Sequence, residues 1–313
     1  MIEKVPVLLT IFNRAETTRR VIEALRQIKP FHIFVAADGP RPDYPEDNEK
    51  CSLARQTALN IDWPCDLKTR FLDKNIGCDH AVSSAIGWFF EHVDYGIILE
   101  DDCIPHAHFF SFCDELFHRY ADDQRIMQIS GLAPYAPREY PYDYHFSRTF
   151  RCAGCWGTWR RAWKYFTFSL EQYREDEALE MFKAYYSDYA ICRMQYLKFC
   201  QFKQGIYNYW DFLWNMACFS QNGLCIVPEK NLNFNIGFDL DATHTKDIPS
   251  VFENLKVFPL VFPLRHPPFV FADSRPERAL EKVIHRRLPF KSRCGLHLRH
   301  ALGAIANFFQ TLP

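Results

Sequence analysis

The chain has 313 residues, 48% hydrophobic, 24% charged and 16% aromatic. That balance excludes a disordered tail and supplies apolar surface for one large core or two joined lobes. With 37 Lys and Arg against 38 Asp and Glu, the net charge of -1 sets up no global field for a polyanion partner.

In chain order, Pro6 to Phe12 (PVLLTIF) reads as a strand buried on both faces, with Asn13-Arg14 at its carboxyl end. Thr17 to Ile28 then places Val21, Ile22, Leu25 and Ile28 on one helical stripe. Phe31 to Ala37 is a second strand, ending at Asp38-Gly39-Pro40. Strands that end in polar residues around a helix open an α/β sheet, and ligands collect beyond such strand ends. Asn13, Arg14 and Asp38 are therefore expected to face one crevice. The charged, proline-containing stretch 41–50 reads as a solvated loop, Ser52 to Asn60 as a short helix and Leu67 to Phe71 as a strand. Asp73 to Cys78 turns into a helix that buries Val82, Ala85, Ile86, Phe89 and Phe90.

Tyr95 to Leu99 (YGIIL) reads as a central strand running into Glu100-Asp101-Asp102. Pro105 suits the first turn of the next helix, where its missing amide proton costs nothing, and that helix buries Phe109, Phe112, Cys113 and Leu116. Ile126 to Ile129 is a further strand, followed by a loop over Ser130 to Tyr144. The second half is less periodic. Cys152 to Trp163 holds three tryptophans, Ser169 to Gln204 is helical with a break near Ser187, Leu224 to Val227 is a strand, and Asn231 to Thr245 is a polar loop.

The 12 cysteines fit no finger or ribbon, and the lone close pair, Cys152 and Cys155, has no second pair to complete a zinc site. Packing thiols in a reducing compartment are expected. Met1 to Pro6 carries no basic region followed by a long apolar run, and no apolar stretch reaches the roughly 18 residues of a membrane span, so neither secretion nor a span is expected.

Three acids at the exposed end of an apolar strand repel one another and carry desolvation costs. A divalent cation offsets both, because Mg²⁺ and Mn²⁺ combine one or two carboxylates with phosphate oxygens and water. If the backbone turns after Asp102, that residue is the expected direct ligand, Asp101 reaches ribose or a metal-bound water, and Glu100 holds the loop or the sugar. A solvated acidic turn favoured by the following helix dipole is the structural alternative.

The stretches Pro6 to Arg14, Val35-Ala36-Ala37-Asp38-Gly39, the helix after Asn75-Ile76-Gly77, Ile97 to Asp102 and Tyr209-Trp210-Asp211 together resemble a GT-A-type glycosyltransferase. The resemblance is to the group related to the N-acetylglucosaminyltransferase I family and covers residues 5–245. The Glu-Asp-Asp element is its more specific part. Trp156 to Trp163 is similar to a stretch common in uncharacterised bacterial sugar transferases of this group.

The resemblance implies an α/β, GT-A-like nucleotide-diphospho-sugar transferase fold, with a single open, mostly parallel mixed sheet flanked by helices. Residues 1–130 would form the nucleotide-sugar-binding half, 131–250 the acceptor-binding and catalytic half, and 251–313 a C-terminal extension. It implies transfer from a nucleotide sugar, UDP-sugar favoured, to a hydroxyl of a glycan or lipid-linked glycan, with Mn²⁺ or Mg²⁺ as cofactor. Arg14 and Asp38 would help bind the nucleoside, Asp102 would hold the metal, and Asp211 would match the catalytic base of an inverting displacement.

Phe212 departs from the acid usual after that base, and the family's acceptor does not carry over. Asp211 has a second reading as a capping or salt-bridging residue. His244 is a candidate metal or phosphate contact, or an ordinary loop residue, and His80 a substrate contact or a helix-surface histidine. Trp156 and Trp159 suit either sugar stacking or packing.

Lys282, Arg286, Arg287, Lys291, Arg293 and Arg299 lie among apolar residues, which suggests peripheral contact of 282–309 with the inner face of a membrane, although Pro289 and Gly295 interrupt the pattern. A cytoplasmic setting is expected. A nucleotidyltransferase would need a glycine-rich loop where Asn13-Arg14-Ala15-Glu16 stands, and no coherent basic stripe supports nucleic-acid binding. A noncatalytic carbohydrate- or protein-binding module on the same fold is the remaining alternative.

Overall fold

The computed structural model describes residues 4–134, 139–152, 154–206, 208–237 and 255–278. It opens with β1 (Val7–Ile11), α1 (Ala15–Ile28), β2 (His32–Ala37), α2 (Asp47–Leu59), β3 (Asp66–Phe71), α3 (Cys78–His92) and β4 (Tyr95–Glu100). Then follow β5 (Cys103–Pro105), α4 (Ala107–Arg119), β6 (Ile126–Ser130), β7 (Tyr144–Ser147), β8 (Trp156–Trp159) and α5 (Arg160–Trp163). The remaining elements are α6 (Glu175–Tyr185), α7 (Tyr189–Lys203), α8 (Trp210–Ser220), β9 (Leu224–Pro228) and β10 (Asn233–Asn235).

One 8-stranded mixed sheet runs β3-β2-β1-β4-β8-β6-β9-β7, so the expected open α/β sheet flanked by helices is what the chain forms. The four strands from β3 to β4 are parallel, β8 is antiparallel to both its neighbours, β6 and β9 are parallel, and β7 is antiparallel to β9. Every residue of β1 is buried, which is why its sequence shows no alternation. The first three strands step outward to one side of β1, and β4 returns to its other side. This order reversal is a topological switch point, where the strand ends of an open α/β sheet leave a crevice.

By contacts the chain divides into two compact units, Met1–Ser169 with Asn208–Asp273, and Leu170–Tyr207 with Ser274–Pro313. In the described part of the second unit, α6 and α7 follow one another through the expected break near Ser187. Asp188 ends that break by accepting from the amides of Ala190 at 2.8 Å and Ile191 at 3.1 Å, which caps α7.

Several sequence expectations are corrected. Stretch 41–50 is not simply a solvated loop: α2 begins at Asp47, a fully buried residue held by Arg41 and Asn13. Pro105 does not start a helix, because β10 pairs with Cys103 to Pro105 and the helix begins two residues later with His106 as its cap. The tryptophan-rich segment supplies a central strand. Trp156 and Trp159 are 1% and 3% exposed, and Trp156 packs among Trp163, Trp210 and Trp214, so both belong to the core.

The 11 described cysteines are all free thiols, as expected of packing residues. No helix among the described residues is long and apolar enough to cross a membrane.

The junction between β4 and its neighbours is tightly fitted. A Cβ on Gly96 would stand 2.3 Å from the Phe89 ring and 2.8 Å from the carbonyl oxygen of Pro6. Gly96→Ala is expected to lower the denaturation midpoint by an amount corresponding to about 1–3 kcal/mol, as overpacking does. An unchanged midpoint would show that Phe89 yields without cost.

Candidate functional site

Strand register builds the site. Thr10 of β1 lies opposite Glu100 of β4, and Ile11 opposite Ala37 of β2, so Asn13-Arg14, Asp38-Gly39 and Glu100-Asp101-Asp102 leave the sheet at the same edge. They meet a cleft of about 410 Å³ lined by Phe12, Arg14, Asp38, Arg41, Asn75, Gly77, Cys78, Asp79, Glu100, Asp101, Asp102, Asn235 and Gly237, among others.

Arg14 stands at the N-cap of α1, where its carbonyl accepts from the Thr18 amide and from the hydroxyls of Thr17 and Thr18. With the backbone so fixed, its guanidinium reaches across the cleft floor. Nη2 donates to Asp101 Oδ1 and, at 2.9 Å, to Asp102 Oδ2. Asp101 is 4% exposed, and its other oxygen accepts the Phe12 amide at 3.3 Å. Burial would lower the pKa of Arg14, but the two carboxylates together raise it. Burial pushes the Asp101 carboxyl up to about 6, against the pull of Arg14.

Glu100 makes no side-chain hydrogen bond among the described residues. Burial first, then repulsion from Asp102 and Asp101, pushes its carboxyl up to about 8. Asp102 accepts a thiol proton from Cys103 at 3.1 Å, and its carbonyl accepts the Ile236 amide at 2.8 Å. A Cβ on Gly237 would lie 1.9 Å from Asp102 Oδ2, so only glycine permits this backbone to cover the carboxylate. The antiparallel pair of β5 with β10 thus brings Asn235 and Gly237 over the acids as the opposite wall.

Asp38 is 7% exposed, and its carboxylate accepts the amides of Gly39 and Ile76 and the side-chain amide of Asn75. It braces the cleft wall after β2 against the turn that enters α3. Asn13 does not line the cleft: it donates to Asp47 at 2.8 Å.

Asp211 lies in the first turn of α8, exposed, with one oxygen accepting its own Phe212 amide at 2.8 Å. It is outside the cleft lining, yet its charge is among those that raise the Glu100 pKa. Asp79 of α3 lines the cleft and accepts the Trp210 amide at 2.8 Å, tying the starts of α3 and α8 together. Phe212, the residue after Asp211, is buried. His80 stacks on Phe168 at 4.0 Å. His244 and the basic stretch 282–309 lie outside the described residues.

Sequence reasoning missed Arg41, Asp79, Asn235 and Gly237. Arg41 lies in the charged stretch that precedes α2, and nothing in that composition marks it as a cleft residue. There its guanidinium lies 3.9 Å from the Tyr44 ring centroid and 5.5 Å from that of Phe12. A glycine within the polar loop 231–245 was the available signal for Gly237. Among the described residues, no group of three or more His, Cys, Asp or Glu side chains converges as a preformed metal cage.

No family model matches this sequence. No curated protein matches it either. Among solved structures, a mannosyltransferase from Pyrobaculum calidifontis in complex with GDP-Man and Mn²⁺ is similar at 12% identity and TM-score 0.34, over 69% of this chain and 70% of that one. A cytidylyltransferase from Leptospira borgpetersenii is similar at 12% identity and TM-score 0.32, over 51% of this chain. The match spans 62% of that enzyme's length, less than two thirds. A mannose-1-phosphate geranyltransferase from Thermus thermophilus is similar at 11% identity and TM-score 0.30, over 72% of this chain and 73% of that one.

The Glu100 carboxyl has a definite pH signature. Because its pKa in the fold is raised from 4.5 to about 8, its contribution to stability is fully present at low pH and is lost as pH rises through that window. Relative to wild type in metal-free buffer, Glu100→Gln is expected to gain stability progressively between those two values, by up to a few kcal/mol. Denaturant titration at a series of pH values checks this. A stability difference that does not change with pH would show Glu100 to be an ordinary solvated acid.

Proposed function

We propose that this chain transfers a sugar from a nucleoside-diphosphate donor, UDP-sugar favoured, to a hydroxyl of a glycan or lipid-linked glycan, with a divalent metal and with inversion. The observation that carries the reading is the convergence of Arg14, Asp38 and Glu100-Asp101-Asp102 on one cleft at the switch point of the sheet. Its volume is within the range of small-ligand sites. Three acids and a guanidinium in one cleft suit a charged ligand that arrives with its own cation.

The donor chemistry fits Mn²⁺ or Mg²⁺. Asp102 keeps accepting capacity on both oxygens beyond its present bonds, Glu100 is uncommitted by hydrogen bonds, and both offer the hard oxygen that these ions prefer. Asp102 would be the protein's main ligand, with Glu100 beside it and the remaining positions left to phosphate and water. Bound there, the metal would neutralise the diphosphate and ease its departure.

The chain's own residues supply the rest. Asp38 and Asn75 hold the wall against which the nucleoside would lie, and Arg14 presents a planar donor set suited to phosphate oxygens. Asp211, at a helix start whose dipole favours the ionised carboxylate, would take the acceptor hydroxyl proton as that oxygen attacks the anomeric carbon. The nucleoside diphosphate leaves from the opposite side, which inverts the centre.

Calorimetric titration of nucleoside diphosphates and nucleotide sugars, with and without Mn²⁺, is expected to show metal-dependent binding selective for one base, weakened in Asp102→Ala. Asp211→Asn is expected to retain donor binding and lose roughly 10²-fold or more in kcat. A folded wild-type protein that binds none of the panel would move the assignment to a noncatalytic module. Full turnover by Asp211→Asn would remove Asp211 from the chemistry while sparing the donor site.

A further inference from the structure

Among the described residues that line the cleft, the side-chain cations are Arg14 and Arg41. Arg41 is committed to Asp47, a carboxylate with no exposed surface, through Nε and Nη2. Arg14 is therefore the cation that serves the Glu100-Asp101-Asp102 cluster. It does so through one nitrogen, Nη2, shared between Asp101 and Asp102. The Asp102 oxygen it occupies is the same Oδ2 over which Gly237 closes.

We infer that Arg14 is the site's built-in counter-cation and competes with the divalent metal for Asp102, so that metal enters well only when a diphosphate gives the guanidinium another partner. This rests on Asp102 being the metal ligand of the proposed function.

The physical case is one of charge and geometry. A metal ion approaching Asp102 Oδ2 in the nucleotide-free protein meets a positive group already hydrogen-bonded to that atom at 2.9 Å. Like charges so close repel, and with Asp102 and Arg14 only 13% and 17% exposed solvent screens that repulsion weakly. Moving Arg14 away without a replacement would leave Asp101, 4% exposed, without its cation. A diphosphate resolves both difficulties. Its oxygens accept the guanidinium's planar donors, its charge accompanies the metal, and the metal takes over neutralisation of the acids. Nucleotide and metal then favour one another's binding by the same factor.

The test is Mn²⁺ titration, read from the electron paramagnetic resonance signal of the free aqueous ion. It uses wild type and Arg14→Gln, with and without uridine, guanosine or cytidine diphosphate. Since Arg14→Gln leaves a buried carboxylate unpaired, the double variant Arg14→Gln/Asp101→Asn is measured alongside it. In the absence of nucleotide, the variants are expected to bind Mn²⁺ about tenfold or more tightly than wild type. The gain in Mn²⁺ affinity from adding nucleotide is expected to be larger in wild type.

If wild type binds Mn²⁺ with nucleotide but the variants bind the bare ion no better than wild type does, the competition is overturned and Asp102 keeps its role. If no protein binds Mn²⁺ under any condition, the metal reading itself fails and this inference falls with it.

Discussion

Three consecutive carboxylates at the end of a buried strand are a liability that the rest of the molecule is arranged to contain. Glu100 extends β4, whose interior residues Ile97 and Leu99 have no exposed surface, so the cluster borders a low-dielectric core. Arg14 offsets part of the cost, and it can do so only because β1 and β4 are neighbours in the sheet. The Phe12 amide and the Cys103 thiol take up further carboxylate oxygens. Glu100 is left without such a bond, and its carboxyl is displaced upward further than that of Asp101.

That arrangement follows from topology. The reversal of strand order between β1 and β4 opens the sheet edge at the point where the acids emerge. Beyond β4 the sheet changes character. β8 enters antiparallel between β4 and β6, and Gly157 lets it pass close to Phe117, whose ring would lie 2.7 Å from an added Cβ. The short pair of β5 and β10 then folds a distant segment back over Asp102. The result is a cleft with one wall made by the turns after β2 and β3 and another by Asn235 and Gly237. α3 and α8 are joined at their first turns through Asp79, which lines the cleft, and the Trp210 amide. Asp211, the next residue of α8, is thereby held near Glu100 by a bond that its own side chain does not make.

Much of this was legible in the residues. Unbroken apolar runs announced β1, β2 and β4, because strands covered on both faces need no polar alternation, and the polar residues after each run marked the edge where a ligand would sit. The Glu-Asp-Asp element stood out because three acids at the end of an apolar run repel one another and carry a desolvation cost. Local sequence therefore determined the strands of the first half, the buried stripes of α1 and α3, and the position of the acids along the chain.

Pairing between distant segments decided the remainder, and no local pattern encodes it. Pro105 became a strand residue because Asn233 lies opposite it, and Asp47 became a buried helix residue because Arg41 and Asn13 reach it. Trp156 and Trp159 entered the core because β8 inserts beside β4. Whether Arg14 faced a ligand or the protein's own acids depended on the register of two strands about 90 residues apart. Composition and spacing named the charged groups. Only the tertiary structure could set their separations, and separation and burial govern what a charge does.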